Sequence, residues 1–187
     1  KYLKSYDLGK MYDMAFDYQK LGIATSIYFQ KKHGGFLLAD DMGLGKTFQA
    51  LATIKAMFGE NLLDTVLVSC PKNVKYQWGR EIEKFTDMKP IVVDSYNKDK
   101  RLELYDKPGD IFIINHEQLI IDEDYKKIKN LNPDMCVIDE IHKFKNRGTE
   151  RSKAIRRLRK IINFYALGLT GTPMQNKPDD IFSVFEI

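Results

Sequence analysis

Six short apolar runs, each separated by enough chain to form a helix, constrain this sequence more than any other feature. They are Phe36–Ala39, Thr65–Ser69, Pro90–Val93, Ile111–Asn115, Met135–Asp139 and Tyr165–Leu169. None alternates polar with apolar, so each reads as a strand buried on both faces. The intervening segments carry helical spacings. Met14, Tyr18, Leu21 and Tyr28 predict a helix over 14–30, and Phe48 to Met57 a second. Val74, Trp78, Ile82 and Phe85 fall on one face of a third. Further helices are predicted over 96–105, 121–129, 150–162 and from Pro178 to Ile187. Parallel strands need such crossovers. The expected fold is α/β, a mainly parallel central sheet covered on both faces.

At 187 residues one domain is the natural count, and 43% apolar residues supply a core. Residues 1–12 show no period and read as an N-terminal extension before a domain over 13–187. No run approaches the roughly 20 apolar residues of a membrane span. Cys70 and Cys136 lack metal-ligand spacing and lie in or beside apolar runs, which suits a reducing compartment. The chain starts at Lys1 and stops at Ile187 inside a predicted helix, so it is expected to belong to a longer protein. Net charge is +4, yet Lys143 to Lys160 holds nine Lys/Arg against Glu150. The basic character is therefore regional.

In a doubly covered parallel sheet, ligands sit beyond the carboxyl ends of the strands. The informative residues gather there. After Phe36–Ala39 come Gly43, Gly45, Lys46 and Thr47, leading into a helix. Strand, glycine loop and helix is the setting in which a GKT triplet binds phosphate. Glycines let the backbone approach an anion, and the helix N-terminus presents free N–H groups to it. Lys46 adds a point charge and Thr47 a hydroxyl for magnesium. A strict pattern has glycine at position 40, where Asp40 stands. Asp139 and Glu140 end the fifth run. Beside a phosphate loop, such a pair suits a metal ligand and a residue that orients and deprotonates water. Alone, the pair would read as a helix cap with a first-turn acid.

These motifs together resemble the Swi/Snf-type ATPases of helicase superfamily 2. Leu38-Ala39-Asp40-Asp41-Met42-Gly43-Leu44-Gly45-Lys46-Thr47 is similar to their motif I, LADEMGLGKT, with Asp41 in place of Glu. That family has Asp at the position of Asp40. Val68–Pro71 with Gln77-Trp78 and Glu83-Lys84-Phe85 resembles motif Ia and its helix. Ile113–Glu117 is similar to motif Ib. Asp139-Glu140-Ile141-His142 resembles the DEAH box, with Ile141 where Ala or Gly is usual, and Lys145-Asn146 follows it. Leu169–Asn176 matches motif III, and Tyr18-Gln19 with Gly22 resembles the adenine-contacting Q-motif. The resemblance covers about Phe16 to Ile187.

It implies the first RecA-like lobe, a P-loop three-layer sandwich, of an ATPase that tracks along duplex DNA. ATP and Mg2+ are the implied cofactors, and a second RecA-like lobe of the same parent chain the implied partner. Lys46, Asp139 and Glu140 are implied as catalytic, with Thr47 and Asp139 on the metal. Gln19, Met42, Gly43, Leu44, Gly45, Lys46 and Thr47 would hold the nucleotide. His142, Thr170, Gly171 and Thr172 would couple nucleotide state to DNA grip. Pro71, Lys72, Asn115, His116, Lys145, Asn146 and Arg147 are the expected DNA track, although the imidazoles of His33 and His116 read individually as structural. Trp78 reads as core. The basic helix, with an apolar stripe of Ala154, Ile155, Leu158, Ile161 and Ile162, reads equally as a solvated face or a phosphate contact.

Two other readings remain open. An RNA helicase of the same superfamily is disfavoured by Met42–Gly45 and the Trp78 helix. A scaffold that has lost turnover is disfavoured by the presence of Lys46, Thr47, Asp139 and Glu140. A Lys/Ile/Tyr-rich composition hints at a bacterial or phage source, with a cytoplasmic location, or a nuclear one in a eukaryote.

Overall fold

The computed structural model describes residues 2–144, 148–162 and 165–171. Its centre is a six-stranded sheet of β1 (Gly35–Leu38), β2 (Val66–Cys70), β3 (Pro90–Val92), β4 (Ile111–Asn115), β5 (Met135–Ile138) and β6 (Tyr165–Leu169). The spatial order is β1-β6-β5-β2-β4-β3, and every neighbouring pair is parallel. All six predicted runs are strands of this sheet.

The α-helices among the described residues are α1 (Lys10–Met14), α2 (Asp17–His33), α3 (Lys46–Gly59), α4 (Lys75–Phe85), α5 (Lys98–Glu103), α6 (Asp122–Leu131) and α7 (Glu150–Arg159). Side chains alternate across each strand, and the two faces bury different sets. Val66, Val68 and Cys70 pack with Ile23, Ile27, Leu51, Ile54, Trp78 and Ile82 from α2, α3 and α4. Leu67, Phe112, Ile114 and Cys136 pack with Ile128, Ile155 and Leu158 from α6 and α7. The result is the three-layer sandwich.

Helix boundaries move for local reasons. α2 begins at Asp17, where the Phe16 N–H donates to Gln19 Oε1 at 3.0 Å. It runs to Gly34, whose φ of +74° ends the helix in a conformation glycine adopts without strain. α3 starts two residues earlier than predicted, because Gly45 at φ +73° turns the chain directly into it. Within residues 2–12, several side chains pack against the domain. Tyr2–Ser5 form a 3-10 turn, and Leu3, Leu8 and Met11 are buried in the α2/α3 core. The predicted helix from Pro178 lies outside the described residues.

Gly22 allows α2 to cross α3 closely. A Cβ there would stand 2.0 Å from Gln49 Oε1, and Gln49 is itself buried. Gly22→Ala is expected to destabilise the fold by about 1–3 kcal/mol through overpacking. Urea denaturation measures it, and an unchanged midpoint would show that Gln49 yields freely.

Candidate functional site

The carboxyl ends of β1, β6, β5 and β2 lie on one edge, and most of the singled-out residues gather there. From the sequence, the β1 and β5 tips are expected to be neighbours. The sheet corrects this: β6 runs between them. At about 4.8 Å per strand, the two tips are roughly 10 Å apart. The tip of β6 fills the gap with Thr170 and Gly171, and the Thr170 N–H donates to Leu38 O at 3.1 Å.

The loop from Ala39 to Gly45 joins β1 to α3. Gly43 at φ +84° and Gly45 at φ +73° give its turns. Lys46 Nζ donates to the carbonyls of Asp40 and Asp41, both at 2.8 Å. Asp40 pins the loop to α3, because its Oδ2 accepts from Gln49 Nε2 at 2.7 Å. Gln19 donates to Leu44 O at 3.1 Å while its Oε1 holds the Phe16 N–H. It therefore ties α2 to the loop, and a Cβ at Gly45 would stand 2.5 Å from its Nε2. Met42 is exposed, with Gly171 close beneath it: a Cβ there would meet Met42 Cγ at 2.7 Å and Lys46 Nζ at 3.5 Å. Thr47 lies half-buried in the first turn of α3.

Asp139 follows β5, and its N–H donates to Ser69 O at 2.9 Å. Its Oδ1 accepts from the Glu140 N–H at 2.9 Å and its Oδ2 from the Trp78 indole N–H at 3.1 Å. Burial raises the Asp139 carboxyl above its ordinary value, and Glu140 adds to this. The two N–H donors and Lys46 pull the other way. Glu140 has φ +51°, an uncommon conformation for a non-glycine residue. Such backbone strain clusters at functional sites. His142 Nδ1 lies 3.1 Å from Glu140 Oε2 and 3.1 Å from Thr170 Oγ1. One nitrogen facing a carboxylate must carry its proton, so we assign Nδ1–H as donor to both. His142 thus joins the β5 and β6 tips. Thr172 lies outside the described residues.

The expected DNA track is only partly assembled. Lys72 is exposed after β2, its Nζ 5.9 Å from the ring centre of the exposed Tyr96, with Pro71 half-buried beside it. Asn115 caps the turn after β4, accepting from the Gln118 N–H at 3.0 Å. His116 must be corrected: its ring is 2% exposed, 2.9 Å from Ser69 Oγ and edge-on to Phe144. A phosphate cannot reach it. Spacing places it at the strand end but does not give its direction. Lys145, Asn146 and Arg147 lie outside the described residues. On α7, Arg151, Lys153 and Arg157 pair with Glu117, Glu150 and Asp122, which favours the solvated reading for those charges.

Burial, with Lys143 and Arg151 nearby, lowers the His116 pKa to about 4. The unfolded chain, near 6.5, binds the proton more readily, so stability is full above pH 6.5 and falls as pH drops toward 4. The loss is expected to reach about 3 kcal/mol in all, about 2 of it between pH 6.5 and pH 5. Denaturation of wild type and His116→Phe at both pH values checks this. A variant as acid-sensitive as the parent would contradict it.

Sequence spacing does not reveal the bonds from Trp78 to Asp139 and from Gln49 to Asp40. A polar residue facing inward among Ala50, Leu51 and Ile54 is the available signal for Gln49. Nothing in the spacing links Trp78 to a residue 61 positions away.

This topology, with a glycine loop, a lysine and an acidic pair at neighbouring strand tips, defines a RecA-like type of lobe. Comparison with known proteins gives the family: residues 18–187 match the SNF2-related domain, and the chain belongs to that family. It is 32% identical over 191 residues to the DNA excision repair protein ERCC-6-like of Bos taurus, covering 95% of this chain and 15% of that protein. It is 31% identical over 174 residues to the ISWI chromatin-remodeling complex ATPase ISW1 of Saccharomyces cerevisiae, covering 89% of this chain and 15% of that one. The Sulfolobus solfataricus SWI2/SNF2 ATPase core in complex with dsDNA superposes with a TM-score of 0.76 at 32% identity, over 90% of this chain and 34% of that one. The chain thus spans about 15% of the length of these curated relatives. No helix among the described residues is long and apolar enough to cross a membrane.

Proposed function

We propose that this chain is the nucleotide-binding lobe of a DNA-dependent ATPase that couples ATP hydrolysis to movement on duplex DNA. The observation that carries the reading is the convergence of Lys46, Thr170-Gly171 and Asp139-Glu140 on three adjacent strand tips. The donor set fits ATP and Mg2+: a loop with two left-handed glycines, a helix N-terminus, a lysine, and a carboxylate already fixed by two N–H donors. Thr47 and Asp139 would hold the metal, whose chemistry is to neutralise phosphate charge.

The chain's own residues divide the rest. Lys46 leaves the Asp40 and Asp41 carbonyls to bind phosphate oxygens. Glu140 orients the attacking water and takes its proton, while His142 holds the Glu140 carboxylate. Because His142 also touches Thr170, a change at Glu140 reaches the β6 tip and the chain beyond it. Met42, Gly43 and Leu44 line the phosphate loop. Gln19 is engaged with Leu44 and Phe16, so adenine would be read by a re-aimed Gln19 or sensed through the loop it holds.

A second RecA-like lobe would supply the arginine finger, typically worth about 10³–10⁵ in rate. The lobe alone should therefore turn ATP over very slowly. Pro71, Lys72 and Asn115, on the same sheet edge, remain the proposed DNA track, and Lys145, Asn146 and Arg147 are proposed for it from the sequence alone. The protein would work wherever its DNA lies, in the cytoplasm of a bacterial or phage system or in a nucleus. ATP turnover of the two-lobed parent with duplex DNA, RNA and no nucleic acid tests the reading. Stimulation by duplex DNA is expected. Stimulation by RNA alone would favour the helicase alternative, and no turnover the scaffold.

A further inference from the structure

We infer that Trp78 is a positioning residue for the metal-binding carboxylate, acting through its indole N–H on Asp139. The inference rests on the nucleotide reading above. Trp78 is 1% exposed, and a buried indole N–H needs an acceptor. Its acceptor is Asp139 Oδ2 at 3.1 Å, while the Glu140 N–H occupies Oδ1 at 2.9 Å. Each carboxylate oxygen therefore carries one protein hydrogen bond. The pair fixes the side-chain torsion and leaves each oxygen with lone-pair capacity for a cation.

The donor stands on a rigid support. α4 is bound to the sheet at its first residue, where buried Lys75 donates to Val93 O at 3.1 Å and pairs with Asp94 at 3.1 Å. One residue past Trp78, Gly79 brings the helix against β3, since a Cβ there would be 3.1 Å from Val92 Cγ2. Ile82, one turn further, is fully buried. The indole cannot follow a drifting carboxylate without unpacking the helix. Outer-layer donors of this kind orient a metal ligand before the metal arrives, and their loss typically weakens metal affinity about 10–100-fold.

The same contact explains an otherwise bland residue. Packing under β2 calls only for a large apolar side chain at this position. An N–H aimed at Asp139 is what tryptophan adds.

The test separates the bond from the packing. Trp78 is the one tryptophan of the sequence, so feeding β-(3-benzothienyl)alanine to a tryptophan auxotroph replaces N–H by sulfur at this position alone. Trp78→Phe is the genetic counterpart. Binding of Mn2+·ADP and of ADP with chelator is measured for each protein, with Mn2+ followed by paramagnetic resonance. The expected result is a roughly tenfold or greater loss for Mn2+·ADP in both variants. Metal-free ADP affinity should stay within twofold. Unchanged Mn2+·ADP affinity in the isosteric protein would overturn the inference, even if Trp78→Phe fails to fold. Equal losses with and without metal would reduce Trp78 to packing and overturn it as well. Wild-type chain that binds ADP no tighter with Mn2+ than without would overturn the nucleotide reading and this inference together.

Discussion

Glu140→Gln in the proposed two-lobed parent is expected to slow the proposed duplex-DNA-stimulated ATP turnover by about 10²–10⁴-fold. Affinities for nucleotide and DNA should change little. Glutamine keeps the shape and the hydrogen bond to His142 but cannot accept the proton of an attacking water. The position also bears the marks of a residue kept for chemistry. It follows the buried strand β5, has φ +51°, and is held by a histidine 3.1 Å away. A positive φ at glutamate costs of order 1 kcal/mol, which the fold bears at this strand end. Steady-state phosphate release with saturating duplex DNA measures the effect. Turnover within twofold of the parent would remove Glu140 from the reaction.

The largest stability loss is expected from Asp124→Ala, about 3–5 kcal/mol by thermal or urea unfolding. Asp124 is fully buried in α6 and accepts two bonds from Arg101, at 3.1 and 2.9 Å. It also accepts from the Tyr105 hydroxyl at 2.9 Å and from Gln118 Nε2 at 3.2 Å. The Asp124 hydrogen bond is the main reason the Arg101 pKa is raised, and burial followed by Asp124 raises that of Tyr105. Asp124→Ala takes the acceptor from the buried Tyr105 hydroxyl and Gln118 amide and the counter-charge from the partly exposed Arg101, which together cost far more than the ion pair contributes. Against a total of about 5–15 kcal/mol, the loss is a large fraction. Replacing both members, Asp124→Leu with Arg101→Met, should recover only the ion-pair part of it, since the buried Tyr105 hydroxyl and Gln118 amide still lose the acceptor. A single substitution costing under about 1 kcal/mol would contradict this. The network bears on the site as well. Gln118 Oε1 accepts the Asn115 N–H at 2.8 Å, so loosening Asp124 should loosen the strand-end turn after β4.

The strands are legible in the sequence because they are buried on both sides, and burial on both sides writes a continuous apolar run. β4 and β6 fall where the runs place them. α1 is not legible, since five residues are too few to show a period. Asp124 and Lys75 look like ordinary surface charges in polar stretches. Their burial depends on partners 23 and 18 residues away, which local periodicity cannot register. The candidate site residues are visible at the strand ends because the motifs are contiguous there. Their relation is not. That β6 lies between β1 and β5 is a fact of sheet order. The inward turn of His116 and the reach of Trp78 to Asp139 depend on side-chain direction, to which spacing is blind.

The most direct test is a crystal structure of the chain grown with ADP and Mn2+. The account predicts the anomalous manganese peak against Thr47 and Asp139, with Lys46 Nζ moved from the Asp40 and Asp41 carbonyls onto a phosphate oxygen. Manganese bound elsewhere, or Lys46 still on those carbonyls beside a bound nucleotide, would contradict it.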